Sequence, residues 1–219
     1  MESAYAPKPT QRFIAREGYP FILVCVAACA LCSFFSYSLA ALWVGVGLFV
    51  AFFFRNPNRF PPSNEDLIIS PADGRIVAVQ TLENSPHVGG PAIKVSIFMS
   101  VLNVHMNRMP ICGTVREVVY KPGKFLVASL DKASEHNEQN ILVLEHPCGR
   151  KLAMVQIAGV VARRIICYVK PGDDLSVGER FGLIRFGSRV DLYLPTPNAI
   201  DVKVGDRVKA GTTIIGRWA

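Results

Sequence analysis

Val169-Lys170-Pro171-Gly172-Asp173 runs on to Gly178, and Val202-Lys203-Val204-Gly205-Asp206 runs on to Gly211 at the same spacing. Each copy reads as strand, tight turn, strand, tight turn, because Gly-Asp supplies the backbone freedom and side-chain acceptor that a turn needs. The chain keeps that rhythm in both directions. Short runs rich in Val, Ile and Leu fall at 75–81, 93–99, 113–120, 141–145, 151–161, 164–169, 181–186, 190–194 and 213–217. Gly, Pro, Asn and Asp separate them, and no long 3.6-residue apolar period follows residue 60. The sequence predicts a mainly β body.

The repeat resembles the barrel-sandwich modules of biotinyl and lipoyl carriers, but the lysine hairpin that such carriers modify is missing. It therefore speaks for fold and not for function. A chain of 219 residues suits one domain with an appendage. Its net charge of +7 suits nucleic acid or an anionic membrane surface. No nucleic-acid motif is visible, so the membrane is favoured and nucleic acid is not expected as a partner. Of the six cysteines, Cys25, Cys29 and Cys32 lie in an apolar segment, and Cys112, Cys148 and Cys167 are dispersed. That pattern implies neither a disulfide framework nor a metal site, and it fits a body facing the cytosol.

Residues 1–18 are polar and basic. From Tyr19 to Phe54 come 36 residues without a charge, where one membrane span needs about 20. The stretch predicts two helices broken near Ser33–Ser38, a hydrophobic hairpin over 19–54. Basic residues flank both of its ends (Arg12 and Arg16, then Arg55 and Arg59), which keeps both ends in the cytoplasm. A signal peptide cut at Ser38-Leu39-Ala40 and a buried soluble helix are the rivals. A second apolar run continuing past the cut point argues against the first. Pro57, Pro61 and Pro62 stiffen a linker over 55–65, and the β-rich domain spans 66–219.

Arg185-Phe186-Gly187-Ser188-Arg189-Val190-Asp191 joins two β-like runs without a turn proline. A Gly-Ser pair alone says nothing, but here it sets a nucleophile beside an unhindered carbonyl. His87, His136 and His146 sit in polar or turn settings. His105 ends the apolar run 97–102, where a satisfied core histidine is the commoner case. Asp73, in Ser70-Pro71-Ala72-Asp73-Gly74, is by itself ordinary turn chemistry. No histidine has a second ligand at metal spacing.

Five motifs carry a closer resemblance. They are Ser-Pro-Ala-Asp-Gly (70–74), Met-Ser-Val-Leu-Asn-Val-His-Met-Asn-Arg-Met-Pro (99–110), Asn-Glu-Gln-Asn (137–140), Gln-Ile-Ala-Gly-Val-Val-Ala-Arg-Arg-Ile (156–165) and Arg-Phe-Gly-Ser-Arg-Val-Asp (185–191). In this order the chain resembles the short form of the phosphatidylserine decarboxylases, pyruvoyl enzymes made as proenzymes. It departs from the longer members at Arg108, where they carry a second histidine, and at Arg189, where they carry threonine. Val101, Asn103 and Gln139 also depart from the usual short form.

The resemblance implies a cut between Gly187 and Ser188. It would leave a β chain 1–187 and an α chain 188–219 that stay together, with further dimerisation left open. Ser188 would become the covalent pyruvoyl cofactor, which forms a Schiff base with the lipid amine. His105 is the expected base and proton donor, Asp73 its orienting carboxylate, and Arg163 with Arg164 a contact for lipid phosphate or a solvated surface pair. The implied activity is a carboxy-lyase step in phospholipid biosynthesis, turning phosphatidylserine into phosphatidylethanolamine and carbon dioxide on the cytoplasmic side of the cell membrane. The alternative is a non-enzymatic, membrane-tethered adaptor of the barrel-sandwich type.

Overall fold

A computed structural model describes residues 12–123, 137–159, 164–185 and 187–218. The chain forms two compact units, the first ending at Asn58 and the second starting at Arg59.

In the first unit a 3-10 turn (Arg16–Gly18) leads into α1 (Tyr19–Ser33) and then α2 (Tyr37–Phe53). Pro20 sits in the first turn of α1, where its missing N–H has no helical partner to lose. The two ends of the pair are tied together. Ile14 bridges Arg55, Ala15 N–H donates to the Phe54 carbonyl at 2.8 Å, and Asn56 Nδ2 donates to the Arg12 carbonyl at 3.1 Å. Gly18 permits this closure, since a Cβ there would lie 2.7 Å from Phe54 Cβ. Leu23, Val24, Leu31, Phe34, Leu42 and Leu48 point outward and are exposed. Helices apolar on their outer faces match hydrocarbon better than water. The stretch Arg16–Ser33 is long and apolar enough to cross a membrane, and α2 is one residue shorter.

The second unit is built of strands. They are β1 (Leu67–Ile69), β2 (Gly74–Leu82), β3 (Ala92–Met99), β4 (Met106–Arg108), β5 (Gly113–Lys121), β6 (Gln139–Glu145) and β7 (Lys151–Ala158), then β8 (Ile165–Cys167), β9 (Asp174–Leu175), β10 (Arg180–Ile184), β11 (Ser188–Pro195), β12 (Asn198–Ile200), β13 (Arg207–Val208) and β14 (Ile214–Trp218). An antiparallel sheet of eight runs β13-β2-β3-β11-β7-β6-β5-β9, and two sheets of three run β1-β14-β12 and β4-β10-β8. The mainly β body expected from the sequence is present. The strands missing from the apolar runs are those of two or three residues, too short to carry a pattern.

The order of the large sheet mirrors itself about the β11–β7 pair. β13 answers β9, β2 answers β5, and β3 answers β6. The small sheets match in the same way, β1 with β4, β14 with β10 and β12 with β8. Backbone contacts obey the same relation. Arg108 N–H donates to the Pro71 carbonyl at 2.9 Å, and Ile69 N–H donates to the Pro110 carbonyl at 3.0 Å. The repeated turns close on each half alike: Gly172 N–H bonds the Val115 carbonyl and Gly205 N–H the Ile76 carbonyl, beside bulges at Val115/Glu117 and Ile76/Ala78. Asp173 and Asp206 each accept a backbone N–H three residues upstream, from Lys170 at 3.1 Å and Lys203 at 2.9 Å. The body is thus one motif twice. The second copy, β4 to β10, is inserted whole between β3 and β11 of the first.

Strand alternation gives the large sheet two faces. Ile141, Val143, Ala153, Val155, Ile157 and Tyr193 pack as a core cluster on one. The other carries Ser188, Val190 and Leu192, paired with Ala158, Gln156 and Met154.

The tightest backbone approach lies at the start of β2, where a Cβ on Gly74 would stand 2.1 Å from the Phe98 carbonyl oxygen. Backbone cannot move aside there as a side chain can. Gly74→Ala is therefore expected to destabilise the body by about 3–5 kcal/mol, while Gly149→Ala, with open space around it, costs about 1 kcal/mol; urea unfolding midpoints compare the two.

Candidate active site

Ser188 opens β11 between Met99 of β3 and Ala158 of β7, and it is wholly buried. Its hydroxyl donates to Met99 Sδ at 3.4 Å. Gly187, just before it, has a φ of +66°, and no atom stands within 4 Å of the place a Cβ would take. Backbone conformation, rather than lack of space, calls for glycine here. The Gly187 carbonyl oxygen accepts the N–H of Gly159 at 3.1 Å. Attack by the Ser188 hydroxyl on that carbonyl would place negative charge on the same oxygen, so the Gly159 amide already points where charge would develop.

His105 is buried immediately before β4. Its carbonyl accepts Ile184 N–H at 3.4 Å, which sets it beside the end of β10, four residues before Ser188. Its Nδ1 lies 3.0 Å from the Asn103 carbonyl oxygen. A carbonyl only accepts, so Nδ1 carries the hydrogen and Nε2 of the neutral ring carries the lone pair.

Asp73 commits its carboxylate elsewhere. Arg59 grips it with both prongs, Nη1 on Oδ1 and Nη2 on Oδ2 at 2.8 Å, and Oδ1 also accepts Ala210 N–H at 2.8 Å. The sequence reading expected Asp73 to orient the imidazole; the group on Nδ1 is the Asn103 carbonyl. Arg108, where longer relatives carry histidine, is buried and donates Nη1 to the Gly178 carbonyl at 3.0 Å. Burial, then the neighbouring Arg180 and Arg59, lowers its pKa to about 10. At neutral pH it remains a cation, so it cannot act as a base.

Arg164 lines a cavity of about 240 Å³ with Tyr120, Glu138, Asn140 and Cys167. Burial raises the pKa of the Tyr120 hydroxyl and the Cys167 thiol, and Glu138 raises Tyr120 further. Both groups are therefore neutral at pH 7. Ala158 N–H donates to the Glu138 carbonyl at 3.0 Å, and Ala158 pairs with Ser188 on its other side. The cavity thus lies two strands from Ser188, about 10 Å at sheet spacing. Arg163 and His136 lie outside the described residues. His87, expected in a loop, packs edge-on against Tyr193 with ring centroids 4.8 Å apart.

A chain of buried amides runs from this cavity to Ser188. Asn140 Nδ2 donates to Gln156 Oε1 at 2.9 Å, and Gln156 Nε2 donates to Asn107 Oδ1 at 2.8 Å. Asn107 Nδ2 then points at Met99 Sδ at 3.7 Å, the sulfur that receives the Ser188 hydroxyl. Gly182 makes room for it, since a Cβ there would lie 2.8 Å from Gln156 Nε2. On the opposite face of β11, Arg189 and Asp191 form a buried two-pronged pair at 2.7 and 2.8 Å. Among the described residues no group of three His, Cys, Asp or Glu side chains is placed to hold a metal ion.

The sequence profile of the phosphatidylserine decarboxylase family matches residues 46–216. The chain belongs to that family. A phosphatidylserine decarboxylase proenzyme of Magnetococcus marinus is 50% identical, over 93% of this chain and 94% of its own length. Proenzymes of the same name from Nitrosomonas europaea and Geobacter sulfurreducens are each 47% identical, the first over the full length of both chains and the second over 93% of this chain and 95% of its own. Within the family frame, sequence reasoning singled out Ser188, Gly187 and His105 but gave no role to Met99, Asn107, Asn140, Gln156 or Gly159. All five lie in the quoted motifs 99–110, 137–140 and 156–165, and for Asn107, Asn140 and Gln156 a polar type inside a strand was the available signal.

Gln156 is the middle link of the amide chain and is fully buried. Gln156→Leu strands the Asn140 donor and the Asn107 acceptor in the core, at an expected cost of about 2–4 kcal/mol. A urea midpoint indistinguishable from that of the unaltered protein would show that the chain holds nothing in place.

Proposed function

We propose that the chain is made as a proenzyme, cuts itself between Gly187 and Ser188, and converts phosphatidylserine to phosphatidylethanolamine and carbon dioxide. Family membership supports the overall reaction. The observation that carries the cleavage reading is the Gly187 carbonyl, held by the Gly159 N–H at 3.1 Å beside the Ser188 hydroxyl in a backbone conformation that suits glycine.

In the first reaction Ser188 Oγ bonds to the Gly187 carbonyl carbon, and His105 Nε2 accepts the hydroxyl proton. The adjacency of the two groups supplies the effective concentration that an unactivated hydroxyl needs. Gly159 N–H stabilises the oxyanion. Collapse breaks the Gly187–Ser188 C–N bond and leaves an ester through Oγ, with the proton returned to the freed amine. Loss of the Ser188 α-proton then expels the Gly187 carboxylate together with Oγ. Residue 188 is left as dehydroalanine, which tautomerises to an imine. Water hydrolyses the imine, releasing ammonia and leaving the pyruvoyl group. The surroundings fit so small a group: Met99 and Ala158 flank it in the sheet and the site is wholly buried.

The pyruvoyl carbonyl supplies an electron sink for decarboxylation of the bound lipid's serine moiety. His105 Nε2, once it has taken up a proton from solvent, is the proposed proton donor to the substrate carbon; the Asn103 carbonyl holds the hydrogen on Nδ1, so that Nε2 is the nitrogen that gains and loses the proton. Asp73, gripped by Arg59 and Ala210 N–H, is proposed to hold the turn 70–74, whose Pro71 carbonyl accepts the N–H of Arg108, three residues after His105, at 2.9 Å. Arg164, with Arg163 beside it in sequence, faces the lipid phosphate. The cavity it shares with Glu138 and Asn140 lies about one headgroup length from residue 188. The apolar hairpin anchors the enzyme in the cell membrane with both ends, and the body, on the cytoplasmic side. The β chain 1–187 and α chain 188–219 stay together because β11 pairs with β3 and β7, β13 with β2, and β14 with β1. The adaptor alternative gives no role to a glycine-serine junction with an aligned donor, and family membership speaks against it.

Intact-mass analysis of active protein is expected to show two chains split after Gly187, the smaller without a free amino terminus; one 219-residue species in active material would sink the proposal. Ser188→Ala should remain one inactive chain. His105→Ala should cut at least about 100-fold more slowly, and normal processing and turnover in that variant would remove His105 from both steps. Gly159→Pro deletes the oxyanion donor and should slow cutting by about 100-fold relative to Gly159→Ala.

A further inference from the structure

The turn between β3 and β4 closes on its own polar groups. Asn103 Oδ1 accepts both the backbone N–H and the hydroxyl of Ser100, at 2.9 and 2.8 Å, and Asn103 N–H donates to the Ser100 carbonyl at 2.9 Å. With these groups turned inward, Val101 and Leu102 form the tip and stand 41% and 61% exposed. Turn tips in water ordinarily carry Gly, Asn, Asp or Ser. This one has its polar residues at the base and its apolar residues outside.

Its position is specific. Ser100 follows Met99, the cross-strand neighbour of Ser188, and the Asn103 carbonyl holds His105 Nδ1. Two arginines share that end of the β4-β10-β8 sheet. Arg185 follows the end of β10, Arg164 precedes the start of β8, and Arg185 N–H donates to the Arg164 carbonyl at 3.3 Å. Leu183 pairs with Met106 and Ile184 with Ile165, so the β3–β4 turn and both arginines emerge from one edge.

We propose that the Val101–Leu102 tip, flanked by Arg164 and Arg185, is a docking element that seats the site on an anionic bilayer. An apolar tip at the same end of the sheet as the exposed Arg164 and the half-buried Arg185 is what an interface of anionic headgroups over acyl chains accommodates. A second copy of this chain is the poorer occupant, because a self-complementary contact would bring arginine against arginine. The inference rests on the reading that the substrate is a membrane lipid. It adds that the body touches that membrane through the turn that fixes the tautomer of its base.

The test uses the full chain in phosphatidylcholine vesicles containing a low fraction of phosphatidylserine, with monomeric dihexanoyl phosphatidylserine as the soluble comparison. Val101→Ser with Leu102→Ser is expected to lower vesicle turnover about tenfold, mainly through the apparent KM, and turnover of the short-chain lipid less than twofold. Val101→Leu with Leu102→Phe should restore vesicle turnover. Equal losses on both lipids, no loss on vesicles, an uncut chain, or a changed molecular mass in detergent would each overturn the proposal. Leu102→Trp, in a chain also carrying Trp43→Phe and Trp218→Phe, reads contact directly through quenching by brominated acyl chains. Absence of quenching also overturns it. If the unaltered protein decarboxylates neither lipid, the substrate reading fails, and the quenching result alone decides the tip.

Discussion

The pairing of β11 with two neighbours at once is the constraint on which the site depends. Ser188 is the first residue of that strand, and it meets Met99 on one side and Ala158 on the other. Both hydrogen-bonding edges of the strand are occupied from its first residue, so Ser188 has no slack. Gly187 lies just outside the ladder with its φ at +66°, and its carbonyl is taken by Gly159, the residue after the end of β7. A regular sheet thus ends, within one peptide unit, in a conformation that suits glycine. The proposed cleavage chemistry falls at that change of regime. Alternation along β11 then sends Ser188 to one face and the Arg189–Asp191 pair to the other. A buried ion pair need not add stability, but here it fills the far face without crowding the near one.

The β character of the body was legible because turn chemistry is local. Gly172-Asp173 and Gly205-Asp206 announce their turns within a few residues, and the structure uses both alike, to close an edge strand onto a bulge. The larger repeat was less visible. Ser-Pro-Ala-Asp-Gly (70–74) and Met-Pro-Ile-Cys-Gly (109–113) occupy equivalent places, but they share only proline and glycine. Those are the two positions where backbone geometry constrains residue type. The others have diverged, Asp73 binding Arg59 while its counterpart Cys112 does not carry a charge partner of that kind. Strands of two or three residues carry no period at all.

In the candidate site, Ser188 and His105 were singled out by the family resemblance, because a Gly-Ser pair alone says nothing and a histidine ending an apolar run is more often a core residue. The amide chain was not, because Asn107, Asn140 and Gln156 come from three strands far apart in sequence and touch only once the sheets stack. The surroundings of Asp73 were equally hidden. Nothing in Ser-Pro-Ala-Asp-Gly tells that an arginine 14 residues earlier will claim the carboxylate. Backbone donors such as Gly159 have no side-chain signature, and only the fold can point them.

The insertion of one motif into the other bears on what self-cleavage does to the molecule. The second copy leaves the chain after Met99 and returns it at Ser188, so the proposed cut falls at the seam where the chain re-enters the first copy. A cut at that seam would break no strand pairing between the two copies, because β11 stays between β3 and β7. What changes is the order of the folding reaction. The precursor folds as a single chain, at a rate independent of concentration. Once cut, the same architecture could be regained only by the meeting of a long and a short chain, and its stability would then depend on protein concentration. Maturation would thus make folding a step the enzyme performs once, with its history stored in connectivity rather than in shape.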